Sequence, residues 1–267
     1  MDTNYKAVNQ AAWNKRTDIH WKSDFYDNDS FIAGHNSLKS IELELLGDLK
    51  GKTVLHLQCH FGQDTISLAR LGAEKVVGVD LSDRAIARAR ELAATCQVAD
   101  DVRFVECDVY DLPEHLDETF DIVFTSYGTI GWLPDMDRWA AVIHKYLRPG
   151  GRFVFAEFHP VVWMFDDSFS HVGYDYFNTG ALYETHEGTY TDGDQSMTAN
   201  YVEWNHGLGE VLTSLLGQGL RIDTFSEFDY SPYPCFDEVV EVSPGRYRIA
   251  KLDKLIPMVY ALSATKV

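Results

Sequence analysis

The sequence predicts a doubly wound α/β fold with a mostly parallel sheet and helices on both faces, on three observations. Short continuous apolar runs recur through the middle of the chain, helical patterns alternate with them, and acidic residues stand at the ends of the second and third runs. The runs are TVLHLQC (53–59), KVVGVDL (75–81), VRFVEC (102–107), DIVFTSY (121–127) and RFVFAEF (152–158). A run that is apolar at every position suits a strand covered on both faces, as in a parallel sheet.

Between the runs, SDRAIARARELAA sets Ile86, Ala89 and Ala93 on one helical face and Arg84, Arg88 and Glu91 on the other, with Ser82 or Asp83 available as N-cap. In DMDRWAAVIHKYLRPGG, Trp139, Val142, Ile143 and Tyr146 or Leu147 fall at helical spacing, and Pro149 with two glycines stops the helix before the fifth run. From about Val161 to Glu203 the periodicity breaks down in a stretch crowded with Tyr, Phe, Trp, Gly and Asp, which reads as an inserted lid or β-rich flap. GLGEVLTSLLGQG then reads as a helix, and LRIDTFSEFDY and IPMVYALSATK as two closing strands. The first forty residues are aromatic-rich and irregular in pattern.

The 267 residues allow one main domain with an insertion, and 41 acidic against 23 basic residues give a net charge of −18. That charge opposes binding to nucleic acid or to anionic lipid, and a neutral or cationic small molecule is the partner it favours. The polar N-terminus and the lack of a long apolar segment predict a cytoplasmic protein that spans no membrane. Cys59, Cys96, Cys107 and Cys235 are widely spaced, which predicts reduced, mostly buried thiols, neither disulfide-bonded nor zinc-bound. Nothing basic flanks Cys235 to activate it as a nucleophile.

The first run leads into VLHLQCHFGQDT, a strand, a turn with one glycine and a helix start, where backbone N–H groups and the helix dipole meet a ligand. The dinucleotide fingerprint G-x-G-x-x-G is absent, so the turn alone fits a plain strand end equally well. The acids decide it. Asp80 stands where a carboxylate accepts from both ribose hydroxyls of a nucleoside. Asp108 stands where another accepts from an adenine amino group, with the Val109 N–H meeting the ring. Acids in succession at strand ends are hard to reconcile with core packing.

These segments, VLHLQCHFG, VVGVDLS, ECDVYDLP, FDIVFTSYG and LRPGGRFVFAEFHP, resemble the class I S-adenosylmethionine-dependent methyltransferases. The likeness looks like a small-molecule subgroup that carries an LHLQCH variant of the first motif. It implies a Rossmann-like sheet of seven strands with one antiparallel strand, S-adenosylmethionine as cofactor and S-adenosylhomocysteine as product. It also implies that Asp80 with Leu81 holds the ribose, that Asp108 and Val109 hold the adenine, and that the turn from Gln58 through Cys59 and His60 to Gly62 lies under the methionine part. The usual family turn, D-x-G-x-G-x-G, is altered: His56, Gln58 and His60 replace the acid and two glycines, and Gly62 matches. The Gln58 backbone carbonyl is the expected receiver of the cofactor ammonium, with Asp64 and Thr65 at the helix start adding contacts. The expected organisation is an N-terminal helical cap at 1–40 and a methyltransferase domain at 41–267 with the lid at about 161–203.

Ligands bind outside the carboxyl ends of strands in such sheets, so SYGTIGWLPD and EFHP should line the pocket. Ser126 and Tyr127 are expected near the sulfonium. His159, fixed by the following proline, and His206 are the candidate general bases; His20 and His35 rank lower. Trp13, Tyr26, Trp132 and Tyr176 are candidate substrate residues, whose rings would favour a cation, either the sulfonium or an amine. The flap acids Asp166, Asp167, Asp175, Glu184, Glu187, Asp192 and Asp194 match no calcium loop and read as a solvated face, so no metal is expected. The reaction expected is methyl transfer to oxygen or nitrogen of a small molecule. The alternatives are an NAD-dependent oxidoreductase, which shares the first two strands and Asp80, and a non-catalytic S-adenosylmethionine-binding protein.

Overall fold

The computed structural model describes residues 4–191 and 196–267. Three helices come first: α1 (Tyr5–His20), α2 (Asn28–Ile32) and α3 (Ser40–Leu46). The alternating part follows as β1 (Thr53–Leu57), α4 (Gln63–Arg70), β2 (Lys75–Asp80), α5 (Asp83–Thr95), β3 (Val102–Glu106), β4 (Phe120–Ser126), α6 (Met136–Tyr146) and β5 (Leu147–Phe158). Then come a hairpin of β6 (Leu182–Glu187) and β7 (Thr198–Glu203), α7 (Leu208–Gly217), β8 (Leu220–Phe228), a second hairpin of β9 (Val239–Ser243) and β10 (Arg246–Ile249), and β11 (Val259–Lys266).

Seven strands form one sheet in the order β3-β2-β1-β4-β5-β11-β8, with β11 antiparallel to both of its neighbours. This is the doubly wound, mostly parallel sheet with one reversed strand. The register aligns Leu57 with Val79, Asp80 with Glu106, and Ser126 with Ala156, so the ends of β1 to β5 share one carboxyl edge.

Period-two alternation splits the strands between two cores. Leu55, Leu57, Val77, Val79, Phe153 and Phe155 face α6 and α7, where Trp139, Ile143 and Tyr146 are wholly buried. Val54, Val76, Phe104, Phe124 and Val154 face α3, α4 and α5, packing on Leu46, Ile66 and Ile86. Removing a side chain such as Trp139 would cost about 3–5 kcal/mol. Ser82 is the cap of α5, its Oγ accepting from the Ala85 N–H at 3.0 Å. Gly62 begins α4 with φ +82, and a Cβ there would sit 2.7 Å from the Phe104 ring, which excludes any larger residue.

The N-terminal stretch, irregular as a sequence pattern, contains a 16-residue helix, α1. Its buried residues are Asn9, Ala12, Thr17 and His20, so no apolar stripe marks it. Among the described residues no helix is long and apolar enough to cross a membrane. Cys59 and Cys107 are buried, Cys96 and Cys235 half-buried, and all four are free thiols.

Candidate functional site

The carboxyl edge of the sheet opens into a cavity of about 1020 Å³. Its floor is the turn after β1. Gln58 and His60 both take left-handed backbone, with φ of 55 and 50, as does Tyr127 after β4 with φ 49. Three non-glycine residues in this region at one edge are a concentration of backbone strain typical of ligand sites.

Asp80 ends β2 beneath this turn. Its Oδ2 accepts from the His60 N–H and its Oδ1 from the Ser82 N–H, each at 2.8 Å. Burial outweighs those bonds and pushes its carboxyl up to about 6. Asp108 follows β3; its Oδ1 accepts from the Tyr110 N–H at 2.8 Å and lies 3.3 Å from Lys6 Nζ on α1. Burial again raises its pKa, against the pull of Tyr110 and Lys6. Both carboxylates line the cavity.

Helix α1 lies along this edge and ties it to the flap. Gln10 donates to the Leu81 carbonyl at 3.0 Å and Asn14 to Asp83 at 2.7 Å. On the other side, the Asn9 amide donates to the Val202 carbonyl of β7 at 2.8 Å and accepts from its N–H at 2.9 Å.

Gln58, Cys59, His60, Gly62 and Asp64 of the expected cofactor set line the cavity, as do Asp80, Leu81, Asp108, Val109, Ser126 and Tyr127. So do Trp13, Tyr26 and Trp132. Four expectations require correction. Thr65 is fully buried outside the cavity walls, its hydroxyl 2.8 Å from His56 Nδ1, so it braces the turn from behind. His159 does not aim into the cleft: Nε2 lies 2.9 Å from Glu227 of β8 and Nδ1 accepts from the Val161 N–H at 3.2 Å. The strand edge turns its ring toward β11 and β8, where it faces Tyr260. Tyr176 also lies outside, its ring against Gly207 and its hydroxyl accepting from the Leu208 N–H at 3.1 Å, where it supports the start of α7. His206 reaches the cavity, yet Nε2 donates to the Leu133 carbonyl at 2.8 Å and Nδ1 lies 3.0 Å from Glu210, so neither nitrogen is open to an acceptor's proton.

The aromatic faces hold a cation of the chain's own. The Arg16 guanidinium lies 5.1 Å from the Trp13 ring, 5.6 Å from Trp132 and 4.3 Å from Tyr201. Of two further site residues, Glu42 had no sequence signal and His20 only that of a low-ranked base. Glu42 is buried, accepts from the Tyr127 hydroxyl at 2.8 Å and is pushed by burial up to about 7. His20 is buried against His60, Nδ1 to Nε2 at 3.0 Å. A helical reading of 5–20 would have brought Trp13, Arg16 and His20 to one face through their spacings of three and four.

Asp166 accepts from the Ser170 and His171 N–H groups, a local turn, and among the described residues no group of three or more His, Cys, Asp or Glu is arranged to hold a metal. Asp192 and Asp194 lie outside the described residues. Burial pushes the Cys235 thiol up to about 12, far from a thiolate.

Residues 54–151 match the family model described as a methyltransferase domain. An uncharacterized methyltransferase of Synechocystis sp. is 33% identical over 136 residues, which are 50% of this chain and 60% of that protein. The ubiquinone/menaquinone biosynthesis C-methyltransferase UbiE of Escherichia coli is 31% identical over 145 residues, 52% of this chain and 57% of that protein. The chain thus spans 57–60% of the length of these relatives. The geranyl diphosphate C-methyltransferase of Streptomyces coelicolor A3(2), crystallised with Mg2+, geranyl diphosphate and S-adenosyl-L-homocysteine, has the same fold at a TM-score of 0.62 and 16% identity, over 100% of this chain and 99% of that one. Residues 54–151 thus match a methyltransferase domain on a sheet whose order is that of an S-adenosylmethionine-dependent methyltransferase fold.

Proposed function

We propose that this protein transfers the methyl group of S-adenosylmethionine to an oxygen or nitrogen of a small molecule. The observation that carries the reading is the pair of strand-end carboxylates, half-buried Asp80 and buried Asp108, opening into one cavity that several aromatic side chains also line. The residues present fit the cofactor: one carboxylate suits a ribose diol, the other an adenine amino group beside the Val109 N–H. When bound, the cofactor supplies an electrophilic methyl on a sulfonium, and the protein's task is alignment and exclusion of water.

In this reading α1, within the cap at 1–40, closes over the adenosyl end, and the β6–β7 hairpin, within the flap at 161–203, closes over the acceptor. Tyr26, Tyr127, Tyr190 and Tyr233 wall the acceptor end, with Asp64 among them. Hydroxyls and a carboxylate suit an acceptor that carries an O–H or N–H group. The mouth is acidic, with Asp166, Asp167, Glu184, Glu187 and Asp237, which favours a neutral or cationic acceptor over a diphosphate. Transfer to carbon is the second reading, favoured by the names of the two C-methyltransferases the chain is similar to.

Calorimetry with S-adenosylhomocysteine and NAD tests the first step. Tight binding of S-adenosylhomocysteine, lost on joint Asp80→Ala and Asp108→Ala substitution, is expected; binding of NAD alone defeats the reading. Incubation with 13C-methyl cofactor and pooled metabolites then reports the acceptor atom from the chemical shift of the transferred methyl.

A further inference from the structure

Five histidines among the described residues line the cavity: His35, His56, His60, His186 and His206. His35 is exposed on the cap, His56 is bonded to Thr65, His60 to His20, and His206 to Leu133 and Glu210. His186 differs from all four. Among the described residues no hydrogen bond reaches either of its ring nitrogens, and its side chain, on the cavity wall, is 32% exposed. A carboxylate oxygen, Glu203 Oε2, lies 4.0 Å from its Nε2.

The flap hairpin builds this pair. Along β6 the less exposed face carries Leu182, Glu184 and His186, alternating with the exposed Tyr183, Thr185 and Glu187. The register sets Leu182 opposite Glu203, Glu184 opposite Tyr201 and His186 opposite Ala199. His186 and Glu203 therefore reach toward each other diagonally across Tyr201, whose ring lies 5.3 Å from the imidazole. Tyr201 is itself fixed by the Arg16 guanidinium, 4.3 Å from its ring, and by Trp132, 5.7 Å away in the loop after β4. Burial raises the Glu203 carboxyl, as do Glu184 and Asp167 nearby, while His186 and Arg16 pull it down.

We infer that His186 is the general base of methyl transfer and that Glu203 positions it. Glu203 faces Nε2 and holds the ring proton there, which leaves the Nδ1 lone pair for the acceptor. As the acceptor's oxygen or nitrogen bonds to the methyl carbon, sulfur keeps the electron pair of the broken carbon–sulfur bond and the acceptor's proton passes to Nδ1. The imidazolium then sits beside the Glu203 carboxylate and gives its proton to water at the cavity mouth. Base and partner both ride on the β6–β7 hairpin, so the element that covers the acceptor also supplies the base. The inference rests on the proposed transfer to oxygen or nitrogen.

The test uses the full chain with 13C-methyl cofactor and pooled metabolites. His186→Gln is expected to slow labelled transfer on the order of 10²-fold, with affinity for S-adenosylhomocysteine by calorimetry changed less than about twofold. A rate within about threefold of the unmutated protein overturns the inference, as does an equal loss of S-adenosylhomocysteine binding. Nitrogen NMR of unmutated protein saturated with S-adenosylhomocysteine is independent of activity and of variant folding. The neutral His186 ring is expected to carry its proton on Nε2, and a proton on Nδ1 overturns the assignment. In Glu203→Met the ring is expected to populate both tautomers; retention of Nε2–H alone overturns the positioning role of Glu203. If unmutated protein transfers no label to oxygen or nitrogen, the proposed function fails and the base with it; if it does and His186→Gln matches it, only the base fails.

Discussion

Two polar clusters share the carboxyl edge of the sheet, one around Glu157 at the end of β5 and one around Gln58 and His60 after β1. Glu157 is 2% exposed, and its Oε1 accepts from the Gly128 and Phe158 N–H groups. Its Oε2 accepts from the Thr129 N–H at 2.7 Å, the Thr129 hydroxyl at 2.9 Å and the Ile130 N–H at 3.2 Å. That carboxylate has nothing left to offer a ligand. Across the cavity floor, Gln58 and His60 each keep one atom unpaired. Glu157 is buried and Gln58 and His60 are half-buried, and saturation of hydrogen bonds separates them further: the saturated cluster shapes the loop after β4, while the turn after β1 keeps hydrogen-bonding capacity unspent.

The sharpest way to break this contrast is Glu157→Ala. It strands four buried N–H donors at about 1–3 kcal/mol each, offset by relief of a buried charge, so urea unfolding should show a loss of about 3 kcal/mol or more. A stable variant would mean that Glu157 is not scaffold. The next effect is on pH. Asp80 titrates near 6 in the folded chain, above its unfolded value near 4, so its contribution to the stability of the free protein is present below about pH 4 and lost as pH rises through 6. Ligand affinity runs the other way, because ribose hydroxyls donate to the ionised form. S-adenosylhomocysteine should bind about tenfold more weakly at pH 5 than at pH 7, with the dependence gone in Asp80→Asn. The smallest effect is at His159, satisfied on both nitrogens like Glu157. His159→Gln should change the rate of labelled methyl transfer by less than about threefold, where loss of a true general base would cost about 10² or more.

The carboxyl edge of the sheet was legible in the sequence because its rules are local. Continuous apolar runs, the Ser82 cap, and Asp80 and Asp108 at strand ends require only that each strand be covered on both faces. The segments laid over that edge obey no such rule. Helix α1 buries Asn9, Thr17 and His20 because it lies over a polar site, so the apolar stripe by which helices are read from sequence is missing. The β9–β10 hairpin is largely exposed and was invisible for the opposite reason, having little to bury. His159 shows a third cause. A strand end fixes where a residue begins, but the neighbouring strand decides which way its side chain turns, and β11 took this one.

The left-handed backbone at Gln58, His60 and Tyr127 has a bearing on attempts to improve the protein. Each such residue gives up about 1 kcal/mol that glycine would not. Glycine would relieve that strain, yet at Tyr127 it would also empty the space of a packed ring and leave Glu42 without its hydroxyl donor, and at Gln58 it would free the Thr129 carbonyl, so a hardier chain needs more than a glycine at these positions.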